Sequence, residues 1–166
     1  ACLRLETLCP GLADLLALRP RLGLRNSGHT VAKVLDPCRG RSLRLVAVTH
    51  PEYLLRMNEL LQAEHASAML LRGTEGEAYA NPRRRPRLLG YRDGEPLLLA
   101  EAEEGGAPPL ASLPDLPDAS ANAGLIRDML DGHLPIPGPI IDQAIALLWL
   151  SGACASADEA RQRISR

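Results

Sequence analysis

The chain has 166 residues, 46% of them hydrophobic and 23% charged, with a formal net charge of -1. That length suits one domain with a real core, and the ordinary balance excludes a disordered chain and a membrane class. Aromatic residues are scarce, with no Phe, one Trp and three Tyr, so the core has to be aliphatic.

Leu12 to Leu18 carries apolar residues at helical spacing (Leu12, Leu15, Leu16), and Pro20 stops the pattern, which predicts a short helix. Asn26 and Ser27 offer side-chain oxygens for the next helix start, predicted to run from Ser27 to about Leu35 before Pro37. On a helical wheel Val31, Val34 and Leu35 share one side, expected to be buried, while His29 and Lys33 face a groove on the other. Leu43 to Thr49 is apolar enough for a strand buried on both faces, as in a parallel sheet. Pro51 stands where a helix can begin, with Leu54, Leu55, Met57, Leu60 and Leu61 as its buried stripe. Ala68 to Leu71 reads as the next strand, so strand, helix and strand form a βαβ crossover. The expected fold class is therefore α/β, a parallel-type sheet flanked by helices.

A further strand is expected at Leu97 to Ala100, reached through an arginine-rich loop and a turn at Asp93 and Gly94. Residues 105–117 are rich in Gly and Pro and read as a connector. Helices follow at about Ala121 to Leu130, Pro139 to Leu150 and Ser156 to Ile164.

Cys2, Cys9, Cys38 and Cys154 show no CxxC and no Cys/His spacing that tetrahedral zinc requires. Their scatter argues against a disulfide framework, and no signal-peptide pattern is present, so a cytoplasmic location is expected. The longest apolar stretch, Pro139 to Leu150, is interrupted by Asp142 and Gln143, too short and too polar to span a bilayer. The chain begins at Ala1 and runs straight into Leu3, Leu5 and Leu8. Residues 1–166 are accordingly expected to be one partial domain of a larger protein, without a complete catalytic apparatus of its own.

Charge is unevenly spread. Residues 1–44 hold eight basic against three acidic side chains, a net charge of +5. Arg25-Asn-Ser-Gly-His-Thr30 is the densest polar run. There Arg25 can grip an oxyanion, and Asn26, Ser27 and helix-start amides add neutral donors for phosphate. Its structural alternative is a capped helix with a solvated face. A second basic cluster, Arg83, Arg84, Arg85 and Arg87, suits contact with a phosphate backbone, although no aromatic residue is interleaved with it for base stacking. The equal alternative is an exposed loop without a partner. Gly73-Thr-Glu-Gly-Glu77 follows the second strand, where parallel sheets carry ligands, but it has neither a Walker lysine nor GxGxxG and reads first as a turn. His50, His65 and His133 are expected in structural or solvent-facing roles.

At Leu22-Gly-Leu-Arg-Asn-Ser-Gly-His-Thr30, Asp36-Pro37, Leu45-Val-Ala-Val-Thr-His-Pro-Glu52, Arg72-Gly73, Asn122-Ala-Gly-Leu-Ile-Arg-Asp-Met-Leu130 and Ala144 to Gly152, the chain resembles anthranilate phosphoribosyltransferase, of glycosyltransferase family 3 (the nucleoside phosphorylase and phosphoribosyltransferase superfamily). The resemblance implies the C-terminal part of that catalytic domain. The family's phosphoribosyl pyrophosphate loop would lie upstream, as would most of the helical domain through which it forms homodimers. Arg19 matches the arginine that contacts anthranilate. Cys9-Pro10, Gly28-His29 and Ala32-Lys33 replace the family's His-Pro, Phe-Asn and Gly-Pro pairs. The Asp-Glu pair that binds magnesium is missing where Gly-Thr-Glu-Gly-Glu runs on into Ala78-Tyr79. No cofactor is then expected in this portion, and ordinary anthranilate phosphoribosyl transfer is not the implied function.

These departures resemble the YbiB-type branch, which is associated with nucleic-acid binding without strong sequence preference. That likeness implies phosphate or nucleic-acid contacts from Arg25, Asn26, Ser27, His29, Lys33, Arg83, Arg84 and Arg85. The alternative is a glycosyl or phosphoribosyl transferase with an unidentified acceptor, using magnesium and phosphoribosyl pyrophosphate, in which Arg19 orients a carboxylate.

Overall fold

The computed structural model describes residues 3–73, 77–106 and 118–165. Four short helices come first: α1 (Leu5–Leu8), α2 (Pro10–Ala17), α3 (Arg19–Leu22) and α4 (Gly28–Val31). Pro20 does not end the helical path. It stands in the first turn of α3, where its missing N–H costs nothing, and the break falls at Leu18.

The predicted helix from Ser27 to Leu35 is corrected: α4 passes at Ala32 into a 3₁₀ turn, Ala32–Val34, and Leu35 is already extended. The tighter winding rotates the faces, so Val34 packs on the core while Val31 is 49% exposed and Leu35 only half-buried. Asp36 then turns the chain. Its carboxylate accepts from the Cys38 N–H at 2.9 Å and from the Ser42 hydroxyl. Those bonds, the serine's first, hold its pKa below the ordinary aspartate value.

The crossover stands as expected. Strand β1 (Arg44–Val48) leads through α5 (Pro51–Ala63) to β2 (Ala68–Arg72), paired in parallel from Arg44 opposite Ala68 to Val48 opposite Arg72. Beyond it the sheet departs from the parallel expectation. Strand β3 (Leu88–Arg92), unforeseen from the sequence, pairs antiparallel with β2 and with β4 (Glu95–Ala100), giving a mixed sheet in the order β1-β2-β3-β4. The β3–β4 turn has positive φ at both Asp93 and Gly94, as a two-residue hairpin requires.

One sheet face carries α5. There Met57 and Leu61 pack on Val46, Val48, Leu70 and Tyr91, whose hydroxyl donates to Asn58 Oδ1 at 2.8 Å. Leu55 leaves the predicted stripe, being 63% exposed. It stands 100° round the helix from Leu54, away from the line through Met57 and Leu61. The other face carries α7 (Gly138–Leu150), which sets Ala146 and Leu150 on Ala47, Met69, Leu71 and Leu88. Helix α8 (Ala157–Ile164) closes on α7 through Ile145, Cys154 and Ala160. Its start is a reciprocal cap: Ser156 accepts from the Glu159 N–H, and the Glu159 carboxylate accepts from the Ala155 N–H. Helix α6 (Ala119–Leu130) is capped by Asp118 and buries no residue.

The two polar residues inside α7 tie the 78–85 segment to the sheet layer. Buried Gln143 accepts from the Ala80 N–H at 2.6 Å and donates to the Ala78 carbonyl at 3.2 Å. Asp142 pairs with Arg85. Among the described residues no helix is long and apolar enough to cross a membrane. The 105–117 connector lies outside the described residues from position 107 onward.

Candidate functional site: a cationic hollow at the end of β1

Asn26 builds the turn that presents the first group of candidates. Its amide donates to the Leu15 carbonyl at 3.0 Å, holding α2, and its oxygen accepts from the Gly28 N–H at 3.0 Å. A Cβ at Gly28 would meet that oxygen at 2.8 Å and the Leu15 and Leu12 methyls at 3.0 and 3.1 Å, so only glycine lets α4 sit this close to α2. Asn26 is therefore engaged in structure, and Ser27, with helical backbone angles, makes no side-chain cap.

From this turn Arg25, His29 and Lys33 converge on a hollow of about 320 Å³ whose far wall is the end of β1 and the start of α5, with Val48, Thr49, His50 and Tyr53. Among the described residues no acidic side chain lines it. The Lys33 ammonium donates to the Ala47 carbonyl at 3.0 Å, so a strand edge anchors the charge. Burial first, then the neighbouring Arg25 charge, depresses the Lys33 pKa, while Glu77 opposes the shift. His29 Nδ1 lies 3.2 Å from the Asn26 carbonyl, leaving its other ring nitrogen for a ligand. Arg25 is exposed and forms no ion pair among the described residues.

A larger hollow of about 1200 Å³ adjoins the first, sharing Thr49 and His50. Leu54, Leu55 and Leu89 give it apolar surface, Arg72, Arg84, Arg85 and Arg87 give it positive charge, and Glu103 adds one acidic group. Arg72 is anchored by Nε, which donates to the Thr49 carbonyl at 3.1 Å. The arginine loop is not the array of unengaged cations that its sequence suggests. Arg85 pairs with Asp142 and Glu103, and its Nε donates to the Glu101 carbonyl at 3.2 Å. Arg84 donates to the Gly105 carbonyl at 2.6 Å, and Arg87 faces Glu101 at 3.7 Å. The exposed Arg83 has its backbone N–H on Asn81 Oδ1 at 3.0 Å. Glu101, Glu103 and Asp142 are thus folded against this loop.

Arg19 lines neither hollow, nor does Arg83. Thr74, Glu75 and Gly76 of the Gly-Thr-Glu-Gly-Glu run lie outside the described residues. Among the described residues no group of three or more His, Cys, Asp or Glu side chains could hold a metal ion. His65 and His133 stand away from the hollows, near the Asp93 carbonyl and Asp128 respectively. His50, by contrast, occupies the cap position of α5 without a side-chain cap bond and borders both hollows. Sequence reasoning missed Thr49, His50, Tyr53 and Arg72 as site residues. The signal was the place of Thr49, His50 and Arg72 at the carboxyl ends of two parallel strands, with Tyr53 in the first turn of the helix that follows β1.

Fold and site together define a mixed-sheet α/β unit with a cationic hollow beside the parallel pair. The chain is 37% identical over 160 residues to the uncharacterized protein YbiB of Escherichia coli strain K12. That alignment covers 95% of the chain and 49% of YbiB, so the chain spans about half the length of this relative. No protein-family model matches the chain.

Proposed function

We propose that this chain is the phosphate-gripping portion of a protein that binds nucleic acid through its backbone, without sequence preference, on a scaffold derived from the anthranilate phosphoribosyltransferase family. The observation that carries the reading is the hollow in which Arg25, His29 and Lys33 converge opposite the end of β1. Burial first, and then the Arg25 charge, disfavours the charged form of Lys33, with Glu77 opposing both, and an anion bound beside Lys33 would favour its ammonium form. Cations gathered in this way suit phosphate contacts, which position a nucleic acid but do not read it. The same proposal places the protein in the cytoplasm as a homodimer, whose second copy would double the binding surface.

The test is affinity of the full-length protein for several unrelated sequences across a salt series. We expect similar affinities at each salt concentration and a linear fall of log affinity with log salt, from counterion release. Salt-independent binding, or strong preference for one sequence, would contradict the reading.

A further inference from the structure

Lys33 is the one lysine of the chain, and folding sets it in the lining of the smaller hollow with Arg25, His29, Thr49, His50 and Tyr53. Its nitrogen has a fixed place there, because it donates to the Ala47 carbonyl at 3.0 Å. Burial, and after it the Arg25 charge, holds the Lys33 pKa below the ordinary lysine value, with Glu77 opposing them. Partial desolvation beside a second cation is the setting in which a lysine amine becomes a nucleophile toward carbonyl carbon. A phosphate grip does not require it. Arginine serves that purpose as well, and arginine fills every other Lys/Arg position of the chain.

We infer that Lys33 forms a reversible imine with the aldehyde of an abasic site in DNA, the baseless sugar entering the hollow while Arg25 holds a flanking phosphate. The inference rests on the backbone-binding reading above and adds a substrate to the same site. At about 320 Å³, the hollow is at the lower end of the range for small-molecule pockets, roughly 300–1,000 Å³, and suits one sugar phosphate unit. Loss of a base leaves C1′ of the deoxyribose as a hemiacetal in equilibrium with an open-chain aldehyde, a carbonyl that an intact nucleotide lacks. The neutral amine keeps an N–H for the Ala47 carbonyl and gives its lone pair to C1′, whose π pair moves onto oxygen. A proton passes from nitrogen to that oxygen, giving a carbinolamine. The hydroxyl then takes up a proton and leaves as water while the C=N bond forms, and the nitrogen gives up its remaining proton. Addition of water reverses both steps, so the balance needs no oxidant or reductant. His29 lines the same hollow with one ring nitrogen beside the Asn26 carbonyl and the other available to carry these protons.

The experiment incubates the full-length protein with a labelled DNA duplex carrying one abasic site, in sodium cyanoborohydride, whose hydride reduces an imine to a stable secondary amine. A covalent protein–DNA band is expected, with peptide mapping placing the adduct on Lys33. Lys33→Arg, at a protein concentration that saturates it with the duplex, should lose the band. The intact duplex of the same sequence should bind and give no band. If the intact duplex binds but the abasic one gives no adduct, or an adduct on another lysine or spread over several, the imine inference is overturned and the backbone reading stands. Failure of the intact duplex to bind overturns both. Equal trapping on Lys33 by free 2-deoxyribose 5-phosphate at the same concentration would overturn the assignment to nucleic acid, since the hollow would then be taking a small aldehyde. Mapping on the unaltered protein decides the matter even if Lys33→Arg does not fold.

Discussion

Arginines that look alike in the sequence differ in what holds them. Arg44 counts toward the basic N-terminal segment, yet its guanidinium donates to the Val34 carbonyl and meets Glu64, both at 2.8 Å, so it joins the 3₁₀ turn to the end of α5. Arg85 does the same between its loop, Glu103 and Asp142, with 22% of its side chain exposed. Replacing Arg85 by Gln should therefore cost about 1–3 kcal/mol of stability, between the values for exposed and buried ion pairs. It should leave nucleic-acid affinity close to that of the unaltered protein. Denaturant unfolding and binding on one preparation check both halves, and a large loss of affinity at unchanged stability would return Arg85 to the site. The sequence could not separate these roles, because Asp142 is 57 residues away and meets Arg85 only once α7 packs on the sheet.

Among the elements, β1, α5 and β2 were legible because each signal is local: two short, largely apolar runs and a proline at a helix start. Strand β3 was not, since Leu88-Leu-Gly-Tyr-Arg92 is short, follows an arginine cluster and contains glycine, a poor strand former. Its one clear sign was Asp93-Gly94, a dipeptide that implies a strand on each side, of which only the second was assigned. In α7, Asp142 and Gln143 read as interruptions of an apolar run, whereas both are anchors. Gln143→Leu should leave the buried Ala80 N–H without its acceptor and destabilise the protein by about 1–3 kcal/mol. Hydrogen exchange should show that amide losing protection. An exchange rate and stability equal to those of the unaltered protein would mean that the 78–80 segment is held by other contacts.

For the molecule as a whole, the polar run from Arg25 to Thr30 forms one wall of the candidate hollow, and what completes it comes from elsewhere in the chain. The wall opposite Lys33 is supplied by Thr49, His50 and Tyr53, which reach it because β1 ends beside the 3₁₀ turn and the Ala47 carbonyl accepts the Lys33 ammonium. Sequence periodicity describes faces of single elements, and the approach of two elements lies outside it. The central claim is that the cations of this hollow, and not Arg85, hold the phosphates. The measurement that tests it most directly is the salt dependence of nucleic-acid affinity for the Arg25→Gln, Lys33→Gln double variant beside the unaltered protein. The account predicts weaker binding to unrelated sequences alike, with the log–log slope flattened by roughly 0.7–0.9 for each phosphate that the variant no longer neutralises. An unchanged affinity and slope in a folded double variant would contradict it.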